Sequence, residues 1–335
     1  MRQGNPRDSI ASLQNDSGDD EQQERGGVFP LLSLIYRILY KLHHWIFLRP
    51  GKPLSHAKLI VVGSFLAGGA GKTPFVAWLA EHLKNHSVNL SKMTGDAKIA
   101  VLCHAKACDE FELLKKKLPW ATVLATPNRY KTARELDLDF DYIISDDGFE
   151  DSRLRPAWTV RLDWSEPPRR LADLWPAGPN RSLVQDHAPA DTALKCNGEK
   201  PDVKFSISEI VNGVGERLKT NGGSEQLDIN GGAGNGEAAA GSEMWALCGI
   251  GNPERFFRDV ESFGMKLSRK VVRPDHDSHF EGAVRNALKT ARCVLMTEKD
   301  FVRLGEDLQK SPQVYRCVQT VETDFGLAFS SGSSP

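Results

Sequence analysis

The chain has 335 residues, a formal net charge of −1 and 40% hydrophobic residues. At about 150 residues per domain this length allows two domains with real cores, and the near-zero charge argues against a nucleic-acid partner, which needs a basic field. The six cysteines, at positions 103, 108, 196, 248, 293 and 317, are scattered without a CxxC pair, so a reduced cytosolic setting is expected rather than a disulfide framework or a cysteine metal site.

Residues 1–27 are polar and acidic. They lack both the basic, apolar build of a signal peptide and the Arg-rich build of a transit peptide, and read as a disordered tail. Residues 28–50 change character. Leu31, Leu34, Ile35, Ile38, Leu39 and Leu42 recur at helical spacing, while Arg37, Lys41, His43 and His44 interrupt the run and argue against a membrane-crossing helix. Tyr36, Tyr40, Trp45 and Arg49 are residue types found at the headgroup level. An amphipathic helix lying on a membrane surface fits, and so does one packed on its own domain, because periodicity does not separate the two.

Residues 51–208 open with the most informative stretch, VVGSFLAGGAGKTP at 61–74. The run Lys58 to Val62 reads as a strand buried on both faces of a parallel sheet. Gly68, Gly69 and Gly71 let the backbone turn tightly and aim N–H groups at an anion without Cβ interference. Lys72 supplies a cation for the β- and γ-phosphates, Thr73 a hydroxyl for Mg²⁺, and the following helix the positive end of its dipole. Pro74 suits that helix's first turn. The first glycine of the usual P-loop pattern is replaced by Leu66.

Phe75, Val76, Leu79 and Leu83 define one apolar face of a helix ending near Asn85. Strands are expected at 98–103 and 121–125, and at Asp141 to Asp147 (DYIISDD). This last strand delivers aspartates to the carboxyl edge of the sheet, where a P-loop fold keeps its Mg²⁺-coordinating acid. If the strand persists, Asp146 and Asp147 point to opposite sides, one toward metal and one toward substrate. Asp109 and Glu110 follow the 98–103 strand at the same edge, and Lys115 to Lys117 read as a solvated helix face. The loop Trp175 to Pro179 is rigid and presents the cation of Arg181.

Residues 209–243 are Gly-rich and of low complexity, and read as a flexible linker or insertion. Residues 244–325 then begin a second α/β pattern: a strand at 244–248, a Gly249-Ile250-Gly251 turn, Asn252 as N-cap, Pro253 at N1, and a helix burying Phe256, Phe257, Val260 and Phe263. A polar loop, PDHDSH at 274–279, and a strand running from Val294 to the charged end at Asp300 complete it, before a tail at 326–335. The fold class expected is α/β: a P-loop NTPase-like parallel sheet flanked by helices, with a smaller C-terminal α/β domain and an N-terminal interfacial helix.

The motifs SFLAGGAGKTP, SDDGFEDSRL, LWPAGPNRSL, GIGNPERFF, PDHDSHF and MTEKD, in this order, resemble the tetraacyldisaccharide 4'-kinases of lipid A biosynthesis over roughly residues 30 to 305. That family also tolerates a non-glycine at the position of Leu66. The resemblance implies an ATP- and Mg²⁺-dependent kinase that phosphorylates the 4'-hydroxyl of a lipid disaccharide, tetraacyldisaccharide 1-phosphate, to give lipid IVA. It implies peripheral attachment, through the N-terminal helix, to the cytoplasmic face of a bacterial inner membrane, with no obligate protein partner. Carried over residue by residue, it places Lys72 and Thr73 on phosphate and metal, and Asp146 and Asp147 on metal and site organisation. Asp109 would draw the acceptor's proton, His276 would orient it, and Arg181 and Glu110 become candidates for substrate contact.

The chain departs from the family pattern in three places. Cys103 to Ala107 replaces an RGYGG-type run, Glu150 and Asp151 replace a glutamine and a histidine, and Asn252 replaces the histidine of GIGHP. His104 or Lys106 is the expected stand-in for the missing arginine. Two other readings share these residues: a P-loop kinase with another acceptor, and a membrane-associated nucleotide-binding protein without catalysis.

Overall fold

Runs of β-branched and apolar residues become strands buried on both faces. In the computed structural model, which describes residues 18–66, 68–90, 97–196, 198–218, 243–275 and 277–325, the run at Lys58 is strand β1 (Lys58–Gly63), buried from Leu59 onward. The described chain divides into two compact units, one formed by residues up to 49 together with 166–189, the other by the remainder.

The larger unit holds two sheets. The first is six-stranded and wholly parallel, in the order β3-β2-β4-β1-β5-β6, comprising β1, β2 (Ile99–His104), β3 (Thr122–Thr126), β4 (Tyr142–Asp146), β5 (Trp158–Asp163) and β6 (Thr192–Lys195). Because β1 and β4 are parallel neighbours, with Val62 opposite Asp146, their carboxyl ends open on the same edge. Helix α2 (Lys72–Leu90) packs Phe75, Val76, Leu79 and Leu83 into the core formed with Ile60, Val62 and Ile144. Those are the residues its periodicity selects; the helix continues five residues beyond Asn85. Helices α3 (Cys108–Lys117) and α4 (Arg129–Leu136) follow β2 and β3.

The second sheet runs β7-β11-β10-β8-β9, with β7 (Val203–Asn212), β8 (Met244–Cys248), β9 (Arg269–Val272), β10 (Cys293–Thr297) and β11 (Val314–Thr323). Only β7 is antiparallel, paired along β11 with a register shift at Val318/Gln319. This long ribbon serves two cores. Val203, Phe205 and Val321 pack with α2 and the first sheet, whereas Ile207, Ile210, Tyr315 and Cys317 pack with Phe256, Phe257 and Val260 of α5 (Pro253–Ser262). The low-complexity character that begins at residue 210 does not prevent packing as far as Leu218, which is buried and donates its N–H to Ile210 O. The rest of that stretch, 219–242, lies outside the described residues.

Two local expectations are corrected. The strand read from Val294 to Asp300 stops at Thr297, because the Thr297 hydroxyl accepts from Asp300 N and caps a helical turn, α7 (Glu298–Phe301). Lys115 to Lys117 is not a plain solvated face. Lys117 is half-buried, its Nζ 2.6 Å from Glu298 Oε2, and Lys116 donates to Gln309 Oε1. All six cysteines are free thiols.

The smaller unit is organised by helix α1 (Gly18–Phe47). Its polar side faces residues 166–189. Ser33, fully buried, donates to Leu174 O and accepts from Ala177 N, and the Arg37 guanidinium and Lys41 ammonium both bind the Asp186 carboxylate, at 2.7 and 2.9 Å. Tyr36 meets the Trp175 ring edge-on. The opposite side is apolar and exposed: Leu31 58%, Ile38 57%, Leu39 59% and Trp45 76%. Among the described residues no helix is long and apolar enough to cross a membrane.

Candidate functional site

The glycine loop after β1 takes backbone conformations that need glycine, with φ of 101° at Gly68, 66° at Gly69 and 74° at Gly71. Space is equally restrictive. A Cβ on Gly69 would lie 2.7 Å from Asn252 N, and one on Gly71 2.8 Å from the Phe205 ring. The loop's carbonyls are held from outside: Arg255 Nη1 donates to Gly69 O (3.0 Å) and Trp164 Nε1 to Ala70 O (2.9 Å). The buried Arg255 guanidinium in turn stacks 4.4 Å from the Trp164 ring centroid. With Gly69 O and Ala70 O tied back and the Gly68 N–H donating to Leu66 O at 3.0 Å, the loop is held in a fixed turn ahead of α2.

Helix α2 begins at Lys72, so Lys72 and Thr73 project from its first turn. Thr73 Oγ1 donates to Asp146 Oδ2 at 2.9 Å, and Lys72 Nζ lies 3.9 Å from Asp147 Oδ2. Asp146 ends β4; Asp147 does not extend the strand but adopts a left-handed φ of 66°, with Gly148 following at 115°. The expectation of opposite pointing along a continued strand is thereby corrected: the chain turns at Asp147, its N–H donating to Val62 O. Ser145 Oγ supports the turn by donating to Asp147 O at 2.6 Å. Asp146 Oδ1 is buried and has no hydrogen-bond partner among the described residues. Burial, and after it the Glu110 carboxylate, push the Asp146 carboxyl well above the usual range, against the pull of Lys72 and Thr73.

A second group of acids adjoins this loop. Asp109 and Glu110 occupy the first turn of α3, where the helix dipole favours negative charge. Lys299, from α7, gathers three carboxylates: Asp109 Oδ2 at 3.5 Å, Glu110 Oε1 at 3.5 Å and Asp275 Oδ1 at 3.4 Å. Asp275 also borders the phosphate loop, since a Cβ on Gly68 would lie 3.6 Å from its Oδ2. Of the residues singled out in the sequence, Gly68, Gly69, Gly71, Lys72, Thr73, Asp109, Glu110, Asp146 and Asp147 share this unit. Arg181 belongs to the other unit, where it is half-buried, and His276 lies outside the described residues.

Two cations were not anticipated at the site. Arg129, the first residue of α4, donates to Asp146 O at 2.9 Å, its helix capped by Asn128 Oδ1. Lys299 is the other; only its place in MTEKD hinted at it. Of the residues expected to stand in for the lost arginine, His104 is half-buried, and burial first and Arg129 second hold its imidazole below the usual histidine range; Lys106 is exposed. Arg129 is the guanidinium that reaches the DDG turn. Asp151, one of the departures, is taken up by a two-pronged pair with Arg153 at 2.7 and 2.8 Å.

A strand–glycine loop–helix unit ending in Gly-Lys-Thr, on a parallel sheet whose neighbouring strand delivers an aspartate to the Thr hydroxyl, defines a P-loop NTPase-like α/β protein. The family model described as LpxK, tetraacyldisaccharide-1-P 4'-kinase, matches residues 28–331, and the chain belongs to this family. It is 29% identical over 285 residues to the tetraacyldisaccharide 4'-kinase of Haemophilus influenzae, covering 81% of each chain. To the enzyme of that name from Brucella anthropi it is 30% identical over 277 residues, 77% of this chain and 76% of that one. The crystal structure of the "apo" form of LpxK from Aquifex aeolicus in complex with ATP shares the fold, with a TM-score of 0.55 and 20% identity over 87% of this chain and 92% of that one.

Proposed function

We propose that this chain is a tetraacyldisaccharide 4'-kinase, moving the γ-phosphate of ATP to the 4'-hydroxyl of tetraacyldisaccharide 1-phosphate. The observation that carries the reading is the phosphate loop whose Thr73 is hydrogen-bonded to Asp146 and whose Lys72 faces Asp147, with the Asp109 group in the same unit. Membership of the family supplies the acceptor.

The residues present fit Mg²⁺. Thr73, Asp146 and Asp147 offer hard oxygen donors, and the buried Asp146 Oδ1 is an acceptor without a partner that a cation would satisfy. When bound, Mg²⁺ would neutralise charge on the β- and γ-phosphates. The N–H groups of Gly69 to Gly71 and the Lys72 ammonium bind the same phosphates and hold the γ-phosphorus in line. Asp109 accepts the proton of the 4'-hydroxyl as its oxygen bonds to phosphorus and the bond to the β-phosphate oxygen breaks, releasing ADP. The family resemblance gives His276 the part of orienting Asp109 and makes Arg181 a candidate for contact with the acceptor. The demand on the base is modest, since positioning and charge neutralisation dominate a loose phosphoryl-transfer transition state.

The exposed apolar side of α1, on a helix whose polar side is occupied by Asp186 and Leu174 O, supports attachment to a membrane surface, where the acyl chains of the acceptor reside. The cytoplasmic face of a bacterial inner membrane is the side with ATP. The test is an assay of purified protein in detergent with ATP, Mg²⁺ and tetraacyldisaccharide 1-phosphate. A new monoester at the 4' position is expected; absence of that product while ATP still binds would exclude this acceptor.

A further inference from the structure

One buried carboxylate ties together two loops of the second sheet that border the phosphate loop. Asp300, fully buried, accepts from Gly249 N at 3.1 Å and from Thr297 Oγ1 at 2.7 Å. Its other oxygen lies 3.5 Å from Arg303 Nη1, and Arg303 Nη2 donates to Asp277 O at 2.9 Å. Asp300 therefore grips the loop after β8 directly and the loop after β9 through Arg303. The two loops meet at Gly249, where a Cβ would lie 3.0 Å from Pro274 O and 3.3 Å from Asp300 Oδ1. Within the loop after β9, the Asp277 carboxylate accepts from Arg273 Nε at 2.7 Å and from His279 N at 2.9 Å, and Asp277 O also accepts from Phe280 N, the first residue of α6 (Phe280–Ala287).

At their far ends both loops press on the phosphate loop. A Cβ on Gly251 would lie 2.9 Å from Gly68 C, one on Gly69 2.7 Å from Asn252 N, and one on Gly68 3.6 Å from Asp275 Oδ2. A helix cap does not explain the Asp300 side chain, because the Thr297 hydroxyl caps α7 by accepting from the Asp300 backbone N–H. Burial pushes the Asp300 carboxyl up to about 6, against the pull of Thr297, Gly249, Arg303 and Lys299. Removing a buried carboxylate strands the donors arranged around it, here Gly249 N and the Arg303 guanidinium. The groups set free would be the backs of the two loops that wall the phosphates, where a displacement of about 1 Å costs on the order of a hundredfold in rate.

We infer that Asp300 and Arg303 are positioning residues for phosphoryl transfer: through Gly249 N and Asp277 O they set the loops after β8 and β9 against the phosphate loop, without touching nucleotide or acceptor themselves. The inference rests on the kinase reading above. The two residues divide the work. Arg303 holds the loop after β9, whose Asp275 reaches Lys299 beside Asp109, whereas Asp300 holds that loop and the Gly249 to Asn252 wall together.

The test compares Arg303→Met, Arg303→Lys, Asp300→Asn and wild type in the full chain, by kcat, KM for ATP and amide hydrogen exchange. Arg303→Met should lower kcat by about tenfold or more and leave KM for ATP within about twofold, since the loop after β8 keeps its anchor. Asp300→Asn, which loosens both loops, should lower kcat and also raise KM for ATP by about threefold or more. Arg303→Lys keeps a charged donor for Asp277 O and should recover most of the rate. A lowered melting temperature with normal kcat in both Arg303→Met and Asp300→Asn would make the tie merely structural and overturn the inference. Should wild type give no 4' product, the kinase reading fails by itself, and the tie is read from exchange alone. Exchange should then quicken by about fivefold or more at 277–280 in Arg303→Met, and at Gly249 as well in Asp300→Asn, with Arg303→Lys close to wild type; unchanged exchange would refute it. Where Arg303→Met or Asp300→Asn does not fold, Arg303→Gln takes its place, a neutral side chain that cannot pair with Asp300 as a charge. Reduced kcat with faster exchange at 277–280 then supports the inference, and wild-type values of both refute it.

Discussion

Asp137 shows how one carboxylate can fix the entry to a sheet. Its two oxygens accept from Ser55 N and Oγ (both 2.7 Å) and from His56 N and Ala57 N (both 2.9 Å), just ahead of β1. Burial opposes its charge, but the hydrogen bonds from Ser55, His56 and Ala57 outweigh it and hold the carboxyl well below the usual range. A depressed native value contributes stability above the unfolded value of about 4, and that stability is lost as pH falls below it. Asp137→Asn should therefore cost about 3 kcal/mol at neutral pH, through weakened charge-assisted bonds and a mismatched donor. In denaturant titrations the gap from wild type should narrow as pH drops below about 4. Asp146 makes a different demand. Asp146→Asn keeps the shape but gives Thr73 a weaker acceptor and removes the negative oxygen; kcat should fall on the order of 10²- to 10³-fold, with fluorescent-nucleotide binding retained.

At the scale of elements, the grip on the phosphate loop is testable without touching phosphate. Trp164→Phe keeps a ring for Arg255 to stack on and deletes only the bond to Ala70 O. Loss of one buried hydrogen bond of about 1 kcal/mol should weaken nucleotide binding about fivefold, as measured by calorimetry. The elements also show what was legible. β1, β2, β4 and β8 read directly from sequence because central parallel strands are continuous apolar runs, and the Asn252–Pro253 start of α5 is a local signal, with Asn252 Oδ1 accepting from Arg255 N. Helix α4 (RYKTAREL) escaped notice because it buries only Ala133 among polar residues. Strand β7 alternates polar and apolar residues into a Gly-rich stretch, so composition hid the last rungs of its ladder. The phosphate loop and DDG turn were legible because each is contiguous. Arg129, Lys299 and Arg255 were not, because each enters the site through a partner outside its own local motif.

At the scale of the molecule, the smaller unit carries the surface most at odds with water. Leu31, Ile38, Leu39 and Trp45 stand exposed on a helix whose buried side is polar, the reverse of a helix that supports a core. Leu31→Asp/Ile38→Asp/Leu39→Asp should reduce sedimentation with anionic phospholipid vesicles by at least about tenfold, given roughly 1.5 kcal/mol or more per buried leucine. Nucleotide affinity measured in detergent should be unchanged.

The β7–β11 ribbon has a consequence for how the protein comes into being on the ribosome. β7 has β11 as its one sheet neighbour, and its Phe205 rests against Gly71 in the phosphate loop. β11 is translated after every other described strand and helix, and its Val321 joins the core beneath α2. The nascent chain can therefore pair the first sheet early, domain by domain as synthesis proceeds. Its nucleotide site, however, has no finished wall until the last strand has left the exit tunnel. A chain cut before residue 314 would hold the Gly-Lys-Thr sequence without β11, the one sheet neighbour of the strand that carries Phe205, so nucleotide binding is expected only once β11 has been made.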